Sequence, residues 1–143
     1  MKTPFGPDNC YCFASRRSSR WLTRTYDAAL APCNITISQF SILTVLDHYR
    51  SLKIADMAGI MVMERTSLVR ALKPLKDLGL IQSLALDGER ARVVSLTAAG
   101  HEKLEQAMPC WELAQAAYEA RFGQTMASRG RADNLQISQA ALD

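Results

Sequence analysis

Apolar residues recur three and four positions apart along most of the chain, and each such run predicts one helix with one buried stripe. From Cys10 to Leu30 the stripe is Trp21 or Leu22, Tyr26 and Leu30. Pro32 ends that helix by withdrawing an amide donor. Thr36-Ile37-Ser38-Gln39 has the spacing of a capping box, so a second helix starts there and buries Phe40, Leu43 and Leu46, with Tyr49 a further candidate, before ending near Arg50. Ser51 and Leu52 read as a link. Ile54 to Ala58 is again helical and breaks at Gly59, and a fourth helix carries Leu68, Leu72 and Leu75. Pro74 should bend that helix without ending it, because Leu75 and Leu78 continue the pattern to Gly79, a natural cap.

The period then changes. Leu80 to Leu84 and Ala91 to Leu96 are aliphatic runs around Asp87-Gly88, the signature of a hairpin. After Thr97 the helical period returns through Leu104, Met108, Trp111, Ala114 or Gln115, Tyr118 and Phe122, with a kink expected at Pro109 and a break at Gly123. A looser Arg-Gly-Arg segment follows, and a last short helix spans roughly 133–141. The tail at 1–9, with Pro4, Gly6 and Pro7, reads as extended.

Polar positions give these elements a purpose. Across the fourth helix from its leucines stand Arg65, Thr66, Ser67, Arg70 and Lys73, all donors suited to phosphates and base edges. Two helices joined by a short turn, the second with a donor-rich face, form a helix-turn-helix. Arg90 and Arg92 place basic groups near the tip of the hairpin that follows. The expected fold class is mainly α with a small antiparallel β-wing, and the expected partner is double-stranded DNA. A bland alternative, a winged helix used only as a protein-interaction module, fits poorly, because interface cores are depleted of charge.

The stretch MERTSLVRALKPLKDLGLI, then a basic wing, then VSLTAAG, resembles the MarR (multiple antibiotic resistance regulator) family of bacterial transcription factors. The likeness extends from about Cys10 to Gly123. It implies that Thr66, Ser67 and Arg70 enter the major groove and that Arg90 reaches the minor groove. The family's acidic residue before the wing arginine is shifted by one here, in Asp87-Gly88-Glu89-Arg90. The resemblance also implies a homodimer in which N- and C-terminal helices intertwine, reading a pseudo-palindromic operator. The expected organisation is a tail at 1–9 and one domain at 10–143, with dimerisation helices at 10–35 and 98–143 flanking a winged helix-turn-helix at 36–97. A repressor released by a small aromatic effector or by an oxidant is the expected mode of action.

Composition narrows the picture modestly. A chain of 143 residues supports one core. Its net charge of +3 suits a protein whose basic groups are local. No apolar run reaches the roughly 18 residues of a membrane span, and the start has no secretory pattern, so no membrane partner and a cytoplasmic location are expected. The cysteines at 10, 12, 33 and 110 then read as thiols.

Cys10 and Cys12 open the first helix, whose positive end suits a reactive sulfur, and Cys33 or Cys110 is the expected resolving partner. A metal needs three or four ligands, and no second paired spacing supplies them, so neither metal nor cofactor is expected. Trp21, Tyr26, Tyr49 and Trp111 are candidates for lining an effector pocket, against the plainer reading of each as core. His48 and His101 read as ordinary histidines. No phosphate loop, nucleophile elbow or paired-histidine motif is present, so an enzyme is not expected.

Overall fold

The computed structural model describes residues 6–85 and 92–140. Helix α1 (Tyr11–Leu30) opens on Cys10, whose sulfur accepts the Phe13 amide, and runs into a single 3-10 turn at Ala31–Cys33. Asn34 then turns the chain through the left-handed region. Both halves of the expected capping box form at Thr36 and Gln39, and α2 (Ile37–Tyr49) follows. Asp27 of α1 accepts the Ile37 amide at 2.7 Å, tying the two helices together.

Ser51–Lys53 departs from the sequence reading. Instead of a link it is a strand, β1, paired antiparallel with β3. With β2 (Ile81–Ala85) and β3 (Arg92–Leu96) it makes a sheet of order β1-β3-β2. The hairpin register runs from Ile81 opposite Leu96 to Ala85 opposite Arg92. Asp87, Gly88, Glu89 and Arg90 lie outside the described residues.

Helix α3 (Ile54–Met61) also differs, continuing through Gly59 and ending at Val62, which takes φ 52°. A Cβ at Gly59 would meet nothing within 4 Å, so no crowding forces a break there. α4 (Arg65–Asp77) runs unbroken through Pro74, as expected, and α5 (Ala98–Phe122) unbroken through Pro109. Gly123, at φ 83°, separates α5 from α6 (Gln124–Ser138). The expected loose segment around Arg129-Gly130-Arg131 is therefore helix. Ala127 anchors that helix by burial, and isolated glycine costs a helix only about 1 kcal/mol.

The core lies beneath α4. Leu68, Leu72 and Leu75 are fully buried there with Leu30, Leu43, Met57 and Val94. Tyr49, a candidate for the buried stripe, is exposed at the end of α2 and packs edge-on against His48.

Candidate nucleic-acid interface

α4 owes its form to two ends and one stripe. At the start, Met63 donates to the Ala58 carbonyl at 2.9 Å and Val62 to Gly59 at 3.3 Å, closing α3 so that Val62–Glu64 turn directly into α4. At its end the Leu80 amide donates to Leu75 and the Gly79 amide to Lys76, each at 2.9 Å. That is a Schellman cap, and it uses Gly79 at φ 71°. Between them the three leucines fix the helix's rotation about its axis.

With the leucines inward, Thr66, Arg70 and Lys73 stand directly opposite, flanked by Arg65 on one side and Ser67 on the other. The structure leaves all five to solvent, on the arc of α4 that the leucines do not occupy. The first turn of α4 contains no acidic side chain, and no side chain caps it. Its N-cap is Glu64, whose side chain makes no capping bond, so the first amides of α4 stand free beside the Thr66 and Ser67 hydroxyls and the Arg65 guanidinium. Lys73 Nζ sits 2.9 Å from Asp77 Oδ2, an exposed pair that an incoming phosphate can replace at little cost.

Val69 was missed. It is 51% exposed in the middle of this polar surface, where an apolar side chain gains nothing from water. A methyl-bearing side chain there is suited to the thymine methyl group. An apolar residue breaking the leucine stripe was the signal available in the sequence.

The wing is set by what anchors it. Arg92 lies opposite Ala85 and folds back along the hairpin, its Nε 3.0 Å from Ser83 Oγ and its terminal nitrogen 2.7 Å from the Ser83 carbonyl. It therefore braces the strands rather than projecting at the tip. Arg90 lies outside the described residues. Below, Thr97 joins three elements. Its hydroxyl donates to the Gly79 carbonyl at 2.6 Å and accepts the Gly100 amide at 3.1 Å, while its amide donates to the Leu80 carbonyl at 3.1 Å. The exit of α4, the base of the wing and the start of α5 meet in one residue.

The cysteines and aromatics sort differently from expectation. Cys10 and Cys12 are exposed, whereas Cys33 is buried and Cys110 half-buried. Cys33 and Cys110 face each other at 3.4 Å between sulfurs. Twenty residues of α1 separate Cys10 from Cys33, about 30 Å of helix. Within one protomer, then, Cys33 and Cys110 are not placed to resolve Cys10 or Cys12. The Cys33 thiol is pushed above its ordinary pKa, first by its hydrogen bond with Cys110 and then by burial.

The four aromatics do not share one pocket. Trp21 packs on Phe122 and Tyr118, with centroids 5.6 and 6.3 Å away, and Trp111 stacks on Phe40 at 5.9 Å. Tyr49 keeps to His48. Tyr26, whose hydroxyl donates to Gln115 Oε1, lines two adjoining spaces. One is an open groove of ≈ 860 Å³ along α1 with Arg16, Asn134 and Ile137 on its walls. The other is a pocket of ≈ 340 Å³ among α1, α5 and α6. Burial raises the Tyr26 pKa, with Tyr118 and Glu119 adding to it. Among the described residues no group of three or more potential ligands could hold a metal, and no single helix is long and apolar enough to cross a membrane.

Comparison with known proteins agrees with this geometry. A model of the MarR family matches residues 35–90. Over 102 residues the chain is 30% identical to the organic hydroperoxide resistance transcriptional regulator of Bacillus subtilis (strain 168), a match spanning 71% of this chain and 69% of that protein. The M. tuberculosis transcriptional regulator MosR, solved in complex with DNA, superposes with a TM-score of 0.81 at 34% identity, covering 91% of this chain and 94% of that one. CouR from Rhodococcus jostii RHA1, solved with p-coumaroyl-CoA, gives 0.80 at 16% identity over 97% and 99%, a likeness of fold alone.

Proposed function

The chain belongs to the MarR family and is a DNA-binding transcriptional regulator, and from that premise we propose that it acts as a homodimeric repressor whose α4 helices enter successive major grooves. The observation that carries this reading is the face of α4. Thr66, Arg70 and Lys73 lie opposite a fully buried leucine stripe, with Arg65 and Ser67 exposed at their flanks, and the first turn after the Glu64 N-cap holds no acid. Thr66, Ser67 and Arg70 read base edges, and Arg65 and Lys73 hold phosphates. Arg92 stiffens the hairpin, and likeness to the family assigns Arg90 to the minor groove.

Dimerisation uses α1, α5 and α6. Tyr11, Leu113, Met126, Leu135 and Ile137 on these helices are all more than half exposed, an apolar surface that a second copy would cover. Two-fold symmetry sets the recognition helices about 34–36 Å apart on one face of the duplex. A regulator of this kind resides in the cytoplasm and carries no catalytic step.

The signal acts by population shift, so the inducing species must favour the spacing that does not fit DNA. Oxidation of Cys10 or Cys12 is one route. Both thiols are exposed at the start of α1, and a relative is named for hydroperoxide resistance. A small aromatic effector lodged beside Tyr26 is the other, since a protein of the same fold was solved with a coumaroyl thioester.

Fluorescence anisotropy on operator and random duplex at two salt concentrations tests the DNA reading. Affinity should fall steeply with salt as counterions are released, and the operator preference should survive. Equal affinity for both duplexes, insensitive to salt, would overturn it.

A further inference from the structure

Cys33 and Cys110 are far apart in sequence yet their sulfurs lie 3.4 Å from each other. Neither belongs to the DNA-binding face or to the exposed pair at the start of α1. Cys33 lies in the 3-10 turn joining α1 to α2, and Cys110 lies on α5 one residue past Pro109. The pocket around them is built of fixed contacts. Cys33 Sγ also lies 3.6 Å from the Gln106 carbonyl, and Lys103 Nζ donates to the Cys33 carbonyl at 3.0 Å and to Gln106 Oε1 at 3.2 Å. A sulfur separation of 3.4 Å needs only about 1.4 Å of approach to reach a bond of about 2.05 Å.

We propose that Cys33 and Cys110 form an internal thiol–disulfide couple, oxidised by small hydroperoxides, that locks the α1–α2 corner onto α5. Cys110 is the attacking thiol, because it is the half-exposed member and Cys33 is buried. Hydrogen bonding to Cys110 and burial both hold the proton on Cys33, which keeps Cys33 out of the first step. The thiolate attacks one peroxide oxygen. An S–O bond forms, the O–O bond breaks, and the remainder leaves as an alcohol, or as water from hydrogen peroxide, after taking up a proton. Cys33 then loses its proton, favoured by the Lys103 ammonium beside it. Its sulfur attacks the sulfenic sulfur, the S–S bond forms, and the hydroxyl leaves as water. The two thiols lose two electrons together and the peroxide gains them.

The consequence is mechanical. The bridge fixes the junction through which the dimer helices α1 and α5 meet α2, which in turn packs on β3 and α4 of the winged helix.

Digestion separates the thiols cleanly, since Cys33 falls in tryptic peptide 25–50, Cys110 in 104–121, and Cys10 and Cys12 together in 3–16. The full chain carrying Cys10→Ser and Cys12→Ser, both exposed positions, is treated with stoichiometric tert-butyl hydroperoxide and mapped without reduction. The expected product is a monomer-mass chain lighter by two hydrogens, with 25–50 joined to 104–121 and a melting temperature raised on the order of 10 °C until dithiothreitol is added. In a further Cys33→Ala variant the sulfenic acid at Cys110 should persist and be trapped by dimedone, whereas Cys110→Ala should leave Cys33 unmodified.

Recovery of both thiols free, at a dose that oxidises Cys10 and Cys12 in the wild type, overturns the proposal. So does a bridge formed only between chains, or a dimedone adduct on Cys33 when Cys110 is absent. The mass readout is independent of DNA binding, so failure of the operator reading leaves this result intact, and the reverse also holds.

Discussion

Replacing Gly100 by alanine is the most demanding test of how the wing is joined to α5. A Cβ at that position would lie 2.0 Å from the Leu80 carbonyl oxygen, 3.1 Å from its carbon and 3.3 Å from Leu96 Cδ2. Ordinary contact begins near 3.4 Å, so the methyl intrudes by more than 1 Å on backbone, not on a flexible side-chain end. Nor can that carbonyl step aside freely. It accepts the Thr97 amide at 3.1 Å, and the Leu80 amide closes the cap of α4. Relief must separate α5 from the base of the wing.

Overpacking of this kind costs about 1–3 kcal/mol, and a lost Thr97–Leu80 hydrogen bond adds about 0.5–1.5 kcal/mol. Alanine's better helix propensity returns about 0.5–1 kcal/mol. The net is a destabilisation of roughly 0.5–4 kcal/mol, or about 2–16 °C in melting temperature for a chain of this size. Gly59→Ala is the internal control. It is also helical, meets nothing within 4 Å, and should stabilise by about 0.5–1 kcal/mol. Calorimetry and urea melts at one fixed protein concentration measure both, since a dimer would make the transition concentration-dependent. If Gly100→Ala melts at or above wild type while Gly59→Ala gains as expected, the close approach of α5 to the wing does not exist.

Arg70→Ala should weaken operator binding far more than binding to random duplex, by about 1–3 kcal/mol of discrimination, and equal operator affinity by anisotropy would move the reading face elsewhere. Thr97→Val removes the α5 cap and the bond to Gly79 and should cost about 1–2 kcal/mol in urea melts; an unchanged midpoint would show that the three-way junction contributes nothing. Deleting residues 124–143 should expose the apolar faces of α1 and α5 and yield monomer or aggregate without DNA binding, so a well-behaved dimer in sedimentation would place the interface elsewhere. Tyr26 has its folded pKa raised above 10.0, so its contribution to stability is complete below about pH 10 and is lost as pH rises through the folded value. Tyr26→Phe should therefore flatten the alkaline fall in melting temperature above about pH 10, and identical profiles would refute the assignment.

Local chemistry made much of this legible from residues alone. A 3.6-residue period rotates Leu68, Leu72 and Leu75 inward and so forces Thr66, Arg70 and Lys73 outward, whatever else the chain does. Thr36 and Gln39 cap α2 through bonds three residues long, and Gly79 caps α4 in the same local way. The two hairpin strands were legible as aliphatic runs on either side of Asp87-Gly88, a local turn signal. What failed was whatever depends on a distant partner. Ser51–Lys53 is too short to carry a period and is a strand only because β3 offers it an edge. Gly59 and Gly130 lie within helices, because flanking residues such as Met57 and Ala127 are buried and an isolated glycine costs only about 1 kcal/mol. Tyr26, Trp21, Trp111 and Tyr49 share a residue class, yet the helices carry them to separate neighbours. Cys33 meets Cys110 for the same reason. A turn after α1 and the middle of α5 come together only when both bury against the common core, and no spacing along the chain encodes that distance.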